Sequence, residues 1–170
     1  MVWKILMVVL PSLVVFLTAF LIIKHFLKSE REKQLLDLKH NAKQLITPLR
    51  LQAYERMALF LERIDLPRLV LKLNNPEITA GQLQALLISS IRSELEHNLS
   101  QQVYFSGDLW DRIKLAEEQT ITLINLCVAK LPADAMSMDL AKLIIEESAK
   151  VEPTSEAMHF LKEEVRDFCF

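Results

Sequence analysis

The chain has 170 residues, 51% of them apolar and 25% charged, with only two glycines. That length suits one domain plus an appendage. Gly81 and Gly107 are too far apart for a phosphate-cradling loop, which gathers two or three glycines within about eight residues. They are also too few for the turns of a β-sandwich or barrel, which recur every ~8–12 residues, so the chain is expected to be all-helical.

The formal net charge of −2 conceals a segregation. From Lys24 to Arg50 seven basic residues stand against three acidic ones, a net of +4, whereas from Leu51 onward twelve basic residues stand against nineteen acidic ones. An acidic body behind a basic collar excludes nucleic acid as the expected partner, because phosphate binding wants a dense positive face.

In chain order, the first feature is a run of nineteen uncharged residues, Ile5 to Ile23. As a helix it would extend roughly 28 Å, near the ~30 Å hydrocarbon core of a bilayer. It is longer than a signal-peptide core and runs directly into a basic helix rather than a cleavage site. The expectation is a membrane anchor over residues 1–23, in contact with lipid through residues 5–23. Lys24, Lys28, Arg31 and Lys33 form a collar at its far end, suited to anionic headgroups. By the positive-inside rule the N-terminus lies outside and the rest in the cytoplasm. The expected location is therefore a bacterial inner membrane, crossed once.

Residues 24–47 form the expected basic juxtamembrane helix. Leu35, Leu38, Ala42, Leu45 and Leu49 follow one another at spacings of three and four, an a/d-type stripe of about two heptads. It suits docking on the chain's own body or pairing with a second copy. Thr47-Pro48 reads as an interruption or a fresh start, with Thr47 as cap and Pro48 in the first turn.

Residues 48–152 form the expected bundle domain. Its first helix is apolar on several faces (Leu49, Leu51, Ala53, Met57, Ala58, Phe60, Leu61, Ile64), the mark of a central helix. After a short helix from Asp65 to Leu73 and a turn at Asn74-Asn75-Pro76, Thr79-x-x-Gln82 is a capping box. It opens a helix with Leu83, Leu87, Ile91, Leu95 and Leu99 on one stripe. Ser106 caps the next, whose inner stripe is Leu109, Ile113, Ala116, Thr120, Leu123 and Cys127. Asp134 is the expected cap of a further helix with Met136, Leu140, Leu143 and Ile144 inward. Residues 153–170 make an amphipathic tail through Met158, Leu161, Val165 and Phe168. The expected fold class is thus all-α: a single N-terminal transmembrane helix continuing into a long juxtamembrane helix, then a small antiparallel helical bundle.

The densest polar group is Glu94, Glu96, His97, Asn98, Gln101, Gln102 and Tyr104. Glu94, His97 and Gln101 share one helix side, and Asn98 and Gln102 are i, i+4 neighbours. A second set, Arg50, Gln52, Tyr54, Glu55, Arg56, Glu62 and Arg63, lies on the central helix. Together these read as an interaction face or a hydrogen-bonded network between helices. A metal centre is the competing reading. Glu94-x-x-His97 and Glu156-x-x-His159 have the i, i+3 spacing of di-iron carboxylate bundles, which require two further glutamates, nominally Glu62 and Glu118. No His-Glu-x-x-His or Cys-x-x-Cys motif is present, no nucleophile neighbours His97 in sequence, and no cofactor is expected. The function expected is a non-enzymatic, membrane-anchored interaction or scaffold module that recruits a protein partner or self-associates; the alternatives are a di-iron bundle enzyme and a homo-oligomeric scaffold.

LRLQAYERMALFLERI (Leu49–Ile64) and EHNLSQQVYFSGDLW (Glu96–Trp110) resemble an uncharacterised family of bacterial single-pass membrane proteins with a cytoplasmic helical domain. The similarity runs from the anchor to about Lys150. It implies the anchor, the topology and the helical body, and transfers no catalytic residue.

Overall fold

The computed structural model describes the backbone of residues 2–169 and the side chains of residues 16–168 except 19, 35 and 39–43. Its elements are helices: α1 (Val2–Arg63), α2 (Leu66–Leu73), α3 (Ala80–Asn98), a 3-10 turn (Leu99–Tyr104), α4 (Gly107–Ala129), α5 (Ser137–Ser148) and α6 (Ser155–Cys169). The only extended pairing among the described residues is one isolated antiparallel bridge, Thr79 with Met136. The chain divides into two compact units, Met1–Pro48 and Leu49–Phe170.

The first unit is helix alone. Phe16, Leu17, Phe20, Leu21, Ile22, Ile23, Phe26 and Leu27 are each more than half exposed, and the Phe16 and Phe20 rings lie 6.5 Å apart. Lys24, Lys28, Arg31 and Lys33 are exposed along the same stretch. The expected single transmembrane helix is corrected here: among the described residues no helix is long and apolar enough to cross a membrane. Phe16, Leu17, Thr18 and Phe20 to Ile23 are the part of the predicted span whose side chains are described. Residues 5–15 of that prediction lie outside those whose side chains are described, as do Leu35 and Ala42 of the predicted stripe. Pro48 does not interrupt α1, although it removes one intrahelical donor.

The second unit is a packed bundle. The last turns of α1 bury Ala53, Met57, Phe60 and Leu61, and Ile64 just beyond them is buried as well. Against them stand Leu66, Leu69 and Val70 of α2, Leu83, Leu87 and Ile91 of α3, Leu109, Ile113 and Ile124 of α4, and Leu140 and Ile144 of α5. Full burial of each such side chain stabilises the fold by about 1.5–3 kcal/mol. Packing joins α2 to α3 and α5, α3 to α4 and α5, and α4 to α5 and α6. The residues after Pro153 belong to this unit: Ala157 and Leu161 are buried, with Met158, Phe160, Val165 and Phe168 partly so.

Helix starts follow local chemistry. Thr79 and Gln82 make the expected reciprocal capping box at α3, and the Ser106 hydroxyl accepts from the Leu109 N–H at α4. At α5 the cap differs from the expectation. Asp134 is exposed, the helix begins at Ser137, and Asp139 accepts the Met136 N–H at 3.2 Å. Leu123 and Leu143 are half-buried and Met136 is exposed, while Ile124 and Ala141 take buried positions. Leu99 leaves the α3 stripe because the chain tightens there into the 3-10 turn.

Candidate functional site

A groove of about 580 Å³ opens in the second unit where α1 ends, α2 begins, and α5 passes to α6. Its apolar lining comes from Leu61, Leu66, Pro67, Ile145, Pro153 and Met158, and its charged lining from Glu62, Asp65, Arg68, Glu152, His159 and Lys162. Burial pushes the Asp65 carboxyl up; Arg68 opposes that shift, and Glu62 and Glu152 add to it. Arg68 pairs with Glu62 and lies 3.8 Å from Asp65, so one guanidinium serves two of the groove's three carboxylates.

Two of the groove's hydroxyls are turned to local partners. Thr120 donates to the Ala116 carbonyl at 2.7 Å and Ser148 to the Ile145 carbonyl at 3.0 Å. His159 lies 3.6 Å from Glu163, one turn along its own helix. This arrangement offers an apolar floor with a mixed-charge rim, which suits recognition of a side chain or segment rather than attack by a nucleophile.

Further along α6 a polar and aromatic latch holds the unit together. Arg50 donates to the Tyr104 carbonyl at 3.0 Å and to the Tyr54 hydroxyl at 2.9 Å. Tyr54 in turn donates to Glu164 at 2.9 Å. The same carboxylate accepts the Ser106 N–H at 3.0 Å and the Ser106 hydroxyl. Arg50 also stacks over the Phe168 ring at 4.3 Å, and the Tyr54 ring packs on Phe105 and Phe168. Burial, then the bond to Glu164, pushes the Tyr54 phenol up to about 12. Three elements thus meet at one carboxylate: the end of α1, the start of α4, and α6.

The sequence-predicted polar residues are distributed rather than convergent. Glu94 is bonded by Arg63 at 3.1 Å, and Asn98, buried, donates to the Glu94 carbonyl at 2.8 Å. His97 is exposed with Nδ1 2.6 Å from the Ser93 carbonyl. Gln101 donates to Ser100 at 3.1 Å, Gln102 is exposed, and Tyr104 enters the latch through its carbonyl. Arg56 is exposed and Glu62 lines the groove. Glu156 pairs with Arg112 and His159 faces Glu163. The two Glu-x-x-His pairs are therefore committed to separate neighbours, and among the described residues no three His, Cys, Asp or Glu side chains gather as metal ligands would. Sequence reading missed Glu164 as the hub; its signal was a glutamate between Leu161 and Phe168 on the inner side of the tail helix.

These features define an all-helical protein with a helical N-terminal unit and a grooved bundle. The chain belongs to the family of unknown function DUF7935, whose model matches residues 1–168 and so takes in the tail after Pro153. No curated protein and no solved structure matches the chain.

Proposed function

We propose that this chain is a non-enzymatic helical interaction module, held at a lipid surface by its N-terminal unit and offering the groove of its second unit to a protein partner. The observation that carries the reading is the set of exposed apolar side chains between Phe16 and Leu27, with Lys24 among them and Lys28, Arg31 and Lys33 following. A contiguous apolar surface of that extent marks an interaction site, not a face left in water. Basic residues at its edge select anionic lipid, each contributing ~1 kcal/mol near the surface. The groove supports the second half of the reading, since it joins an apolar floor to a charged rim.

Flotation of the full chain with vesicles tests the lipid half. The chain should rise with phosphatidylcholine vesicles containing phosphatidylglycerol. Replacing Lys24, Lys28, Arg31 and Lys33 together by Gln should weaken binding to those vesicles while sparing binding to pure phosphatidylcholine. A chain that stays at the bottom of the gradient with both compositions overturns the reading. For the partner half, a photoactivatable side chain at Met158, irradiated in native membranes, should yield one adduct of defined mass; a featureless smear or none counts against the groove.

A further inference from the structure

The rim of the groove carries charges of both signs, and most of them answer one another. Arg68 pairs with Glu62 and lies 3.8 Å from Asp65, and His159 faces Glu163. Two lining charges are left over: Glu152 and Lys162 form no ion pair among the described residues. Their places differ. Glu152 stands just before α6, its carbonyl accepting the Ser155 N–H at 3.1 Å. Its charge is felt at Asp65, where it adds to the effect of burial, so that end of the groove holds three carboxylates against one guanidinium. Lys162 stands beyond Ser155 on the same helix, about 10 Å along its axis. The floor shared by both ends is apolar, with Leu61, Leu66, Pro67, Ile145 and Met158.

This pattern deepens the groove half of the reading above and rests on it. An arriving cation relieves the repulsion that Glu62 and Glu152 impose on Asp65, and an arriving anion gives Lys162 the partner it lacks. Exposed charges of this kind select an occupant more than they hold it; the apolar floor supplies the hold. Opposite charges set so far apart exceed the reach of one amino acid or one zwitterionic headgroup. Four steps of extended chain cover ~13 Å and return side chains i, i+2 and i+4 to one face. We propose that the groove takes an extended segment of a protein partner, with a basic residue at the Glu152 end, an apolar residue on the floor two positions along, and an acidic residue at Lys162 two positions further.

The probes are three blocked, biotinylated peptides, Lys-Ala-Leu-Ala-Glu, Lys-Ala-Leu-Ala-Lys and Glu-Ala-Leu-Ala-Glu, offered to the full chain in mild detergent with a photoactivatable side chain at Met158. Adduct yield should be severalfold higher for the mixed peptide than for either of the others. Lys162→Glu should pass the advantage to the doubly basic peptide, and Glu152→Gln should lower labelling by the mixed peptide severalfold; both side chains are exposed, so neither change disturbs the core. Equal labelling by all three peptides, no labelling, or a preference of the unaltered rim for the doubly basic peptide overturns the charge match. Where Met158 still gives its single adduct in native membranes, the groove reading survives that result; where that adduct is missing as well, both fall.

Discussion

Helix α1 carries the same kinds of side chain to opposite fates. Before Pro48 its phenylalanines, leucines and isoleucines face outward, from Phe16 and Phe20 to Leu45 and Ile46. After Arg50 the inward-facing ones enter the core: Met57, Phe60 and Leu61 are at most 1% exposed, while Leu51 and Leu59 stay 38% and 48% exposed. Residue type does not separate the two stretches; the presence of opposing surface does. From Ala53 onward, α2, α3, α4 and α5 supply side chains that close over the helix. One segment therefore uses apolar surface for stability, and the other leaves its described apolar side chains exposed.

The largest expected effect separates the two stretches directly. Phe60→Ala should destabilise the second unit by about 3–5 kcal/mol in urea unfolding followed by circular dichroism, through lost transfer energy and the cavity left behind. Phe26→Ala should change that stability by less than about 0.5 kcal/mol and instead reduce vesicle binding. Similar losses from both substitutions would erase the distinction.

Next comes the latch that ties α6 to α1 and α4. Glu164→Ala strips a partner from Tyr54 and from Ser106, and should cost about 1–3 kcal/mol; Tyr54→Phe, which leaves the Ser106 bonds intact, should cost less. Thr79→Ala removes the α3 cap, with an expected loss of about 1 kcal/mol.

The last comparison is a pH dependence. The folded chain holds the Tyr54 proton more tightly than the unfolded chain, whose phenol titrates near ~10. The resulting stability is complete below that value and is lost as the pH rises to about 12. An ultraviolet titration should show a late phenol step that Tyr54→Phe abolishes.

How much of this was legible depended on whether the signal was local. Thr79 with Gln82 and Ser106 announced their helices because a cap is written within four residues. The stripe Leu83, Leu87, Ile91 needed only helical period. Asp134 misled because the bond at the start of α5 comes from inside the helix, where Asp139, three residues after Met136, accepts the Met136 N–H. The latch was illegible for a different reason. Tyr54 and Glu164 are 110 residues apart, and nothing in either neighbourhood names the other. The Glu-x-x-His pairs showed the reverse error: correct spacing within each helix, with Arg63 and Arg112 taking the carboxylates. The length of the apolar run Ile5–Ile23 predicted a membrane span, whereas among the described residues no helix is long and apolar enough to cross a membrane.

The bridge between Thr79 and Met136 works through main-chain atoms. The Ala80 amide donates to the Ala135 carbonyl, and the Ser137 amide donates to the Ile78 carbonyl, each at 3.0 Å. Two loops 57 positions apart are thereby clasped at the points where α3 and α5 set out. Side-chain replacement cannot unfasten such a clasp; only proline, by deleting a donor, can. The main-chain part of the joint is thus indifferent to residue type, and the buried Ser137 hydroxyl adds a rivet of its own to the Asn75 carbonyl at 2.6 Å.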